Sequence, residues 1–273
     1  LVSGSVYARA FFEVAKPVWA AGEERTMNLS LRFSANFSLK GGERVILRAT
    51  GCALYRILVN GRFAGYGPAR GPKGHDRVDE CDISRYVVGG ENRIEIDVAG
   101  YNCPSYYVTD QPSYLQAEVL VDGRVVCATG REPGLDGAIV AKELNREIKV
   151  PRYSFQRPFC EVWNEPYRAG KPIKLAVQPQ KKLLPRVASY PTFAVNSNAV
   201  RIAEGHARYD VSVKMREYRP LLRIGAGRYD SRGYKVADCA VVPTHAIPSE
   251  HAEHVRRVLV PVDGKGPDPS AVL

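Results

Sequence analysis

Residues 28–38 place Leu29, Leu31, Phe33, Ala35 and Phe37 on one face and Asn28, Ser30, Arg32, Ser34, Asn36 and Ser38 on the other. A side-chain period of two belongs to a β-strand with one dry and one wet side. The alternation returns at Ile94, Ile96 and Val98, at Leu115, Ala117, Val119 and Val121, and at Val211, Val213 and Met215. No long run carries the 3.6-residue spacing of an amphipathic helix. Many strands, spaced by turn signals at roughly 8–20 residues, predict an all-β chain folded as an antiparallel β-sandwich or jelly roll.

The turns are readable as chemistry. Asn60-Gly61 and Asp122-Gly123 supply residue types that tolerate positive φ, which a two-residue hairpin needs. Residues 52–59 are apolar at nearly every position and read as a central strand covered on both faces. Residues 82–86 read as one helical turn. Residues 148–163 carry Tyr153, Phe155, Phe159 and Trp163 among Pro151 and Pro158, which suits an edge or a bulge. Residues 256–260 read as a last strand, and residues 263–273 as a loose tail.

Composition removes several classes. At 273 residues, 45% hydrophobic and 25% charged, the chain is neither disordered nor collagen-like. No apolar run reaches the roughly 18 residues of a transmembrane helix, so no membrane span is expected. Lys+Arg minus Asp+Glu is 39 − 29 = +10, but the basic residues are dispersed and no nucleic-acid-reading motif occurs. Nucleic acid is therefore not an expected partner. The six cysteines lack any C-x-x-C pair and read as small buried thiols. Two glycosylation sequons, at Asn28 and Asn36, fall inside a strand and are set aside. The chain begins at Leu1 and has two methionines, which suggests a fragment or a processed product. No charged segment followed by an apolar one opens it, a slight lean toward the cytoplasm.

Enzyme chemistry is hard to find. His251 and His254 are three apart but have no evident third ligand, and no metal or cofactor motif is present. Glu161 and Glu165 lie four apart in a proline-broken strand, where they need not share a face, so they do not define a glycosidase pair. Asp79, Glu80 and Asp82 read as ordinary acids. What remains is loop chemistry. Tyr101, Tyr106 and Tyr107 with Asn102 and Asp110 combine flat rings and directional polar groups, and a second loop adds Arg70, His75, Asp76 and Arg77. Aromatic faces with a few polar groups suit a sugar, whose ring has an apolar face edged by hydroxyls. These nine residues are the candidate carbohydrate-binding set; the alternative is that the tyrosines merely cap the sandwich.

Residues 51–61 (GCALYRILVNG), then Gly65-Tyr66-Gly67-Pro68, Asp82-Ile83 and Gly90-Glu91-Asn92-Arg93-Ile94, resemble the amino-terminal β-sandwich of bacterial α-L-rhamnosidases. Residues 152–159 and Leu183-Leu184-Pro185-Arg186 are similar to segments upstream of that family's catalytic part. The likeness covers about residues 28–195. Position 81 departs from it, with Cys where an aromatic is common.

The resemblance implies a galactose-binding-like sandwich over residues 1–178. A second, smaller β-rich region, or a linker toward a missing catalytic domain, follows over 179–273. In that family the hydrolytic carboxylates lie in a helical α/α barrel, which this chain has no helices to build. No catalytic residue is therefore transferred. Three readings stay open. The first is a non-catalytic portion that holds carbohydrate. The second is a scaffold docking the catalytic domain of the same polypeptide. The third, weaker, is a free-standing glycosidase.

Overall fold

The computed structural model describes residues 11–72, 74–103, 111–146, 161, 163 and 170–193. Apart from Glu161 these belong to one compact unit, Leu1–Arg146 with Trp163–Phe193. The expected strand at 256–260, the alternation at 211–216 and most of the region 148–163 lie outside the described residues.

The strands are, in chain order, β1 (Val18–Ala20), β2 (Leu29–Leu39), β3 (Val45–Cys52), β4 (Leu54–Val59), β5 (Arg62–Gly67), β6 (Asp76–Asp82) and β7 (Gly90–Gly100). There follow β8 (Tyr114–Val121), β9 (Arg124–Ala128), β10 (Val140–Glu143), β11 (Pro172–Ile173), β12 (Leu175–Val177) and β13 (Leu183–Pro185). One sheet has the order β12-β1-β8-β3-β6-β13, with β9 also on β8; the other runs β11-β10-β2-β7-β4-β5. Every pairing between these strands is antiparallel except β13 on β6. The all-β sandwich read from the sequence is the fold, and the helical turn expected at residues 82–86 is a 3-10 turn at Ser84–Tyr86.

The alternation explains the layering. β2 sends Leu31, Phe33 and Phe37 inward, β7 adds Ile94, Ile96 and Val98, and the facing sheet answers with Leu47, Ala49, Leu115, Ala117 and Val119. Trp19 lies 5.9 Å from Phe33, ring to ring, and closes one end. Each such large side chain contributes about 1.5–3 kcal/mol by leaving water. Both hairpin dipeptides adopt the required geometry, with φ of 50° and 74° at Asn60 and Gly61 and 46° and 81° at Asp122 and Gly123.

One expectation needs correction. Residues 52–59 are not one strand covered on both faces. β3 ends at Cys52 in one sheet, the chain crosses between layers, and β4 begins at Leu54 in the other. Within β4, Tyr55, Ile57 and Val59 face the core while Leu54 stays 42% exposed and Arg56 reaches outward to Asp97. The apolar run hid the crossing because Cys52 and Leu54 belong to different layers.

The open side between β6 and β5 is closed by residues 183–193. β13 lies parallel to β6. Arg186 then points inward and donates from Nη1 to Asp79 Oδ1 at 2.9 Å. Its other nitrogens donate to the Ala188 and Ser189 carbonyls, and its guanidinium lies 4.1 Å over the Tyr190 ring. Tyr190 bonds both the N–H and the carbonyl of Glu80. Phe193 ends the segment against Phe63 and Tyr66 of β5. Asp79 is fully buried and also accepts the Tyr55 hydroxyl. Gly67 is required here, since a Cβ on it would overlap Asp79 Oδ2 and come within 2.6 Å of the Tyr55 hydroxyl oxygen. Elsewhere in the same sheet, buried Glu118 accepts the backbone N–H groups of Glu13, Val14 and Ala15 and is paired with Arg48.

Removing Arg186 leaves the Asp79 carboxylate buried without its cation. Arg186→Ala is expected to cost about 3–5 kcal/mol in urea unfolding. Val187→Ala, at a 75% exposed neighbour, should stay within about 0.5 kcal/mol.

Burial also pushes the Cys81 and Cys127 thiols up to about 11, against about 9 for an exposed thiol. A thiol with a raised folded-state value keeps its proton after the unfolded one has lost it. Its stabilising effect is therefore complete below pH 9 and is lost as pH rises toward 11. Unfolding titrations should show stability falling across that window, and the fall should shrink in a Cys81→Ala/Cys127→Ala protein.

Candidate functional site

One end of the sandwich collects the two loops singled out in the sequence. The first, between β5 and β6, curls on itself: the His75 N–H donates to Pro72 O at 3.0 Å, and Gly74 has a φ of 78°. Arg77 holds it down, donating from Nε to Arg70 O at 2.8 Å and from Nη1 to Pro185 O at 2.6 Å. Asp76 opens β6, and its N–H donates to Lys182 O.

The second loop reaches Asp76 from the other side. Gln111, just before β8, donates from Nε2 to Asp76 Oδ1 at 3.3 Å. The first residues of β8 and the last of β3 then enter the same cluster, with the Tyr114 hydroxyl 3.5 Å from Thr50 Oγ1. Lys181 covers Tyr114, its Nζ 4.5 Å from the ring centroid. Burial pushes the Tyr114 phenol up, and the Asp76 charge adds to that rise. Burial holds the Lys181 ammonium below its ordinary value, and Asp76 offsets part of that effect.

Two of the candidate residues turn inward. Tyr101 and Asn102 are only 7% and 8% exposed. Asn102, at a φ of 43°, donates from Nδ2 to Glu24 O at 3.0 Å, Thr26 O at 3.3 Å and Ser113 Oγ at 2.6 Å. It joins the turn before β2 to the start of β8. Gly100 permits this closeness, since a Cβ there would stand 2.7 Å from Leu29 O. Arg70 is exposed, and His75, Asp76 and Arg77 are half-buried. Tyr106, Tyr107 and Asp110 lie outside the described residues, as does Glu165; Glu161 is exposed.

The sequence reading missed Thr50, Gln111, Tyr114 and Lys181. Lys181 looked like one of several dispersed surface cations. Tyr114 carried the better signal, being a tyrosine at the head of a strand whose residues are buried on both faces.

Among the described residues the buried carboxylates are all engaged. Asp79 is held by Arg186 and Tyr55, and Glu118 by Arg48 and three backbone N–H groups. Asp97 receives Arg32 through Nε at 2.6 Å and Nη2 at 2.9 Å, and Arg56 through Nε at 2.9 Å. Such groups are acceptors already filled, not proton carriers facing a cleft. Among the described residues no group of three or more His, Cys, Asp and Glu side chains could hold a metal ion.

No protein-family model matches the chain, and no curated protein matches it. Among solved structures it is similar to a GH78 family rhamnosidase of Bacillus sp. GL1. The two are 25% identical, with a TM-score of 0.54, over 65% of this chain and 20% of that one. α-L-Rhamnosidases from Dictyoglumus thermophilum and Aspergillus terreus also superpose, at 15% and 14% identity and TM-scores of 0.43 and 0.44. These cover 63% and 62% of this chain and 22% of each of those. The likeness thus spans one fifth of the Bacillus enzyme. The β-sandwich of this chain is a rhamnosidase-like domain.

Proposed function

We propose that the chain is a non-catalytic β-sandwich portion of a rhamnosidase-like glycoside hydrolase. The observation that carries this reading is the state of the buried acids among the described residues. Asp79, Asp97 and Glu118 are buried and bound by arginine or backbone donors. Glycoside hydrolysis needs a pair of carboxyls flanking the scissile bond, one of them free to give up a proton.

Two roles fit such a portion. The convergence of both loops on Asp76 and Gln111 favours contact with carbohydrate. Exposed Phe63 and Tyr66 beside Phe193 on edge strand β5 favour bracing a catalytic domain of the same polypeptide. The Bacillus enzyme is consistent with either role, since most of its length lies beyond the matched part.

The test of the non-catalytic reading is direct. The chain, incubated with an aryl α-L-rhamnoside, should release no more phenol than buffer alone, and Glu161→Gln should behave identically. Turnover that disappears in Glu161→Gln would make the chain a glycosidase and overturn the proposal.

A further inference from the structure

Lys181 is a half-buried cation with an incomplete environment. Its ammonium sits on the Tyr114 ring, and among the described residues it makes no hydrogen bond and no ion pair. The positive charge of Arg25 acts on it as well. Asp76 is near enough for its charge to be felt at Lys181, yet the two do not pair directly. The Asp76 carboxylate accepts the Gln111 amide and the Tyr114 hydroxyl.

This leaves an ammonium with no counter-ion bonded to it, next in the fold to a carboxylate whose oxygens can accept a further hydrogen bond. A neutral hydroxyl on Lys181 would solvate the ammonium without cancelling its charge. A carboxylate would do both, and charge-assisted hydrogen bonds are roughly twice as strong as neutral ones. Asp76 would repel that carboxylate unless the same ligand also offered it a hydroxyl hydrogen. A sugar acid carries both groups on one ring. The Tyr114 face is already covered by Lys181, so the site recognises its ligand by polar groups and charge rather than by stacking.

We propose that this end of the sandwich binds a uronate sugar, free or within an acidic polysaccharide. Its carboxylate rests on Lys181, and a ring hydroxyl donates to Asp76. The proposal rests on the carbohydrate-contact reading above and names its ligand class.

The experiment is an NMR or calorimetric titration of the full chain with galacturonate, galactose and sodium acetate. Galacturonate should bind at least about tenfold more tightly than galactose, and raising the salt should weaken it as an exposed charge contact requires. Lys181→Met keeps the hydrocarbon stem over Tyr114 and removes the charge. It should abolish the preference while thermal unfolding stays close to that of the parent. Equal binding of galactose and galacturonate would overturn the uronate assignment and leave carbohydrate contact standing. Acetate matching galacturonate would reduce the site to a simple anion contact, which also overturns the proposal. Binding unchanged in Lys181→Met would place the ligand elsewhere. No binding of either sugar would remove both carbohydrate readings, while the rhamnoside assay reports separately on catalysis.

Discussion

The fold depends on one register. β2 and β7 pair over eleven residues without a slip, from Leu29 opposite Gly100 to Leu39 opposite Gly90. A shift of one residue would turn Leu31, Phe33 and Phe37 out to water and Arg32 into the core, since strand side chains alternate faces. The wet face enforces the same register, because Arg32 grips Asp97 directly across the pair. The apolar side supplies most of the energy, at about 1.5–3 kcal/mol for each large side chain. The arginine–aspartate fork contributes less and is directional, so it discriminates between alignments that burial alone would rank more closely.

Burial of charge follows a second rule. Isolated ionised groups are costly to take out of water, and each buried carboxylate among the described residues is accordingly held by arginine, hydroxyl or backbone donors. Glu118 fastens the segment 13–15 over β8, Asp97 clamps β2 to β4, and Asp79 receives Arg186 from a segment more than a hundred residues away. The arginines that meet these acids come from both layers.

Local chemistry was legible in the sequence and long-range placement was not. The strands around 29–39, 94–98 and 115–121 announce themselves by period, and the two hairpins by Asn-Gly and Asp-Gly. The rhamnosidase likeness was also legible, from residues 51–61 and the glycine-rich motifs after them. The crossing at Cys52 was invisible because an apolar run reads alike whether it stays in one layer or changes layers. Asn102 looked like a binding group because its amide is polar and sits in a loop. Its donors are consumed by carbonyls from residues 24 and 26, which no local pattern reveals. Lys181 is the reverse case, a cation that looks solvated until the chain returns it onto Tyr114.

The segment 183–193 touches both layers, with β13 on β6, Arg186 at Asp79 and Phe193 on β5. Grease between two sheets is nearly indifferent to small lateral displacement, because apolar attraction has no direction. A tyrosine hydroxyl of one layer bonded to a carboxylate of the other is not indifferent. Sliding one layer over the other would break the Tyr55–Asp79 bond and drag Phe193 off its strand together. The offset of the two sheets is thus set by a peg rather than by friction, and the domain resists shear along its layers more stiffly than its core composition alone would suggest.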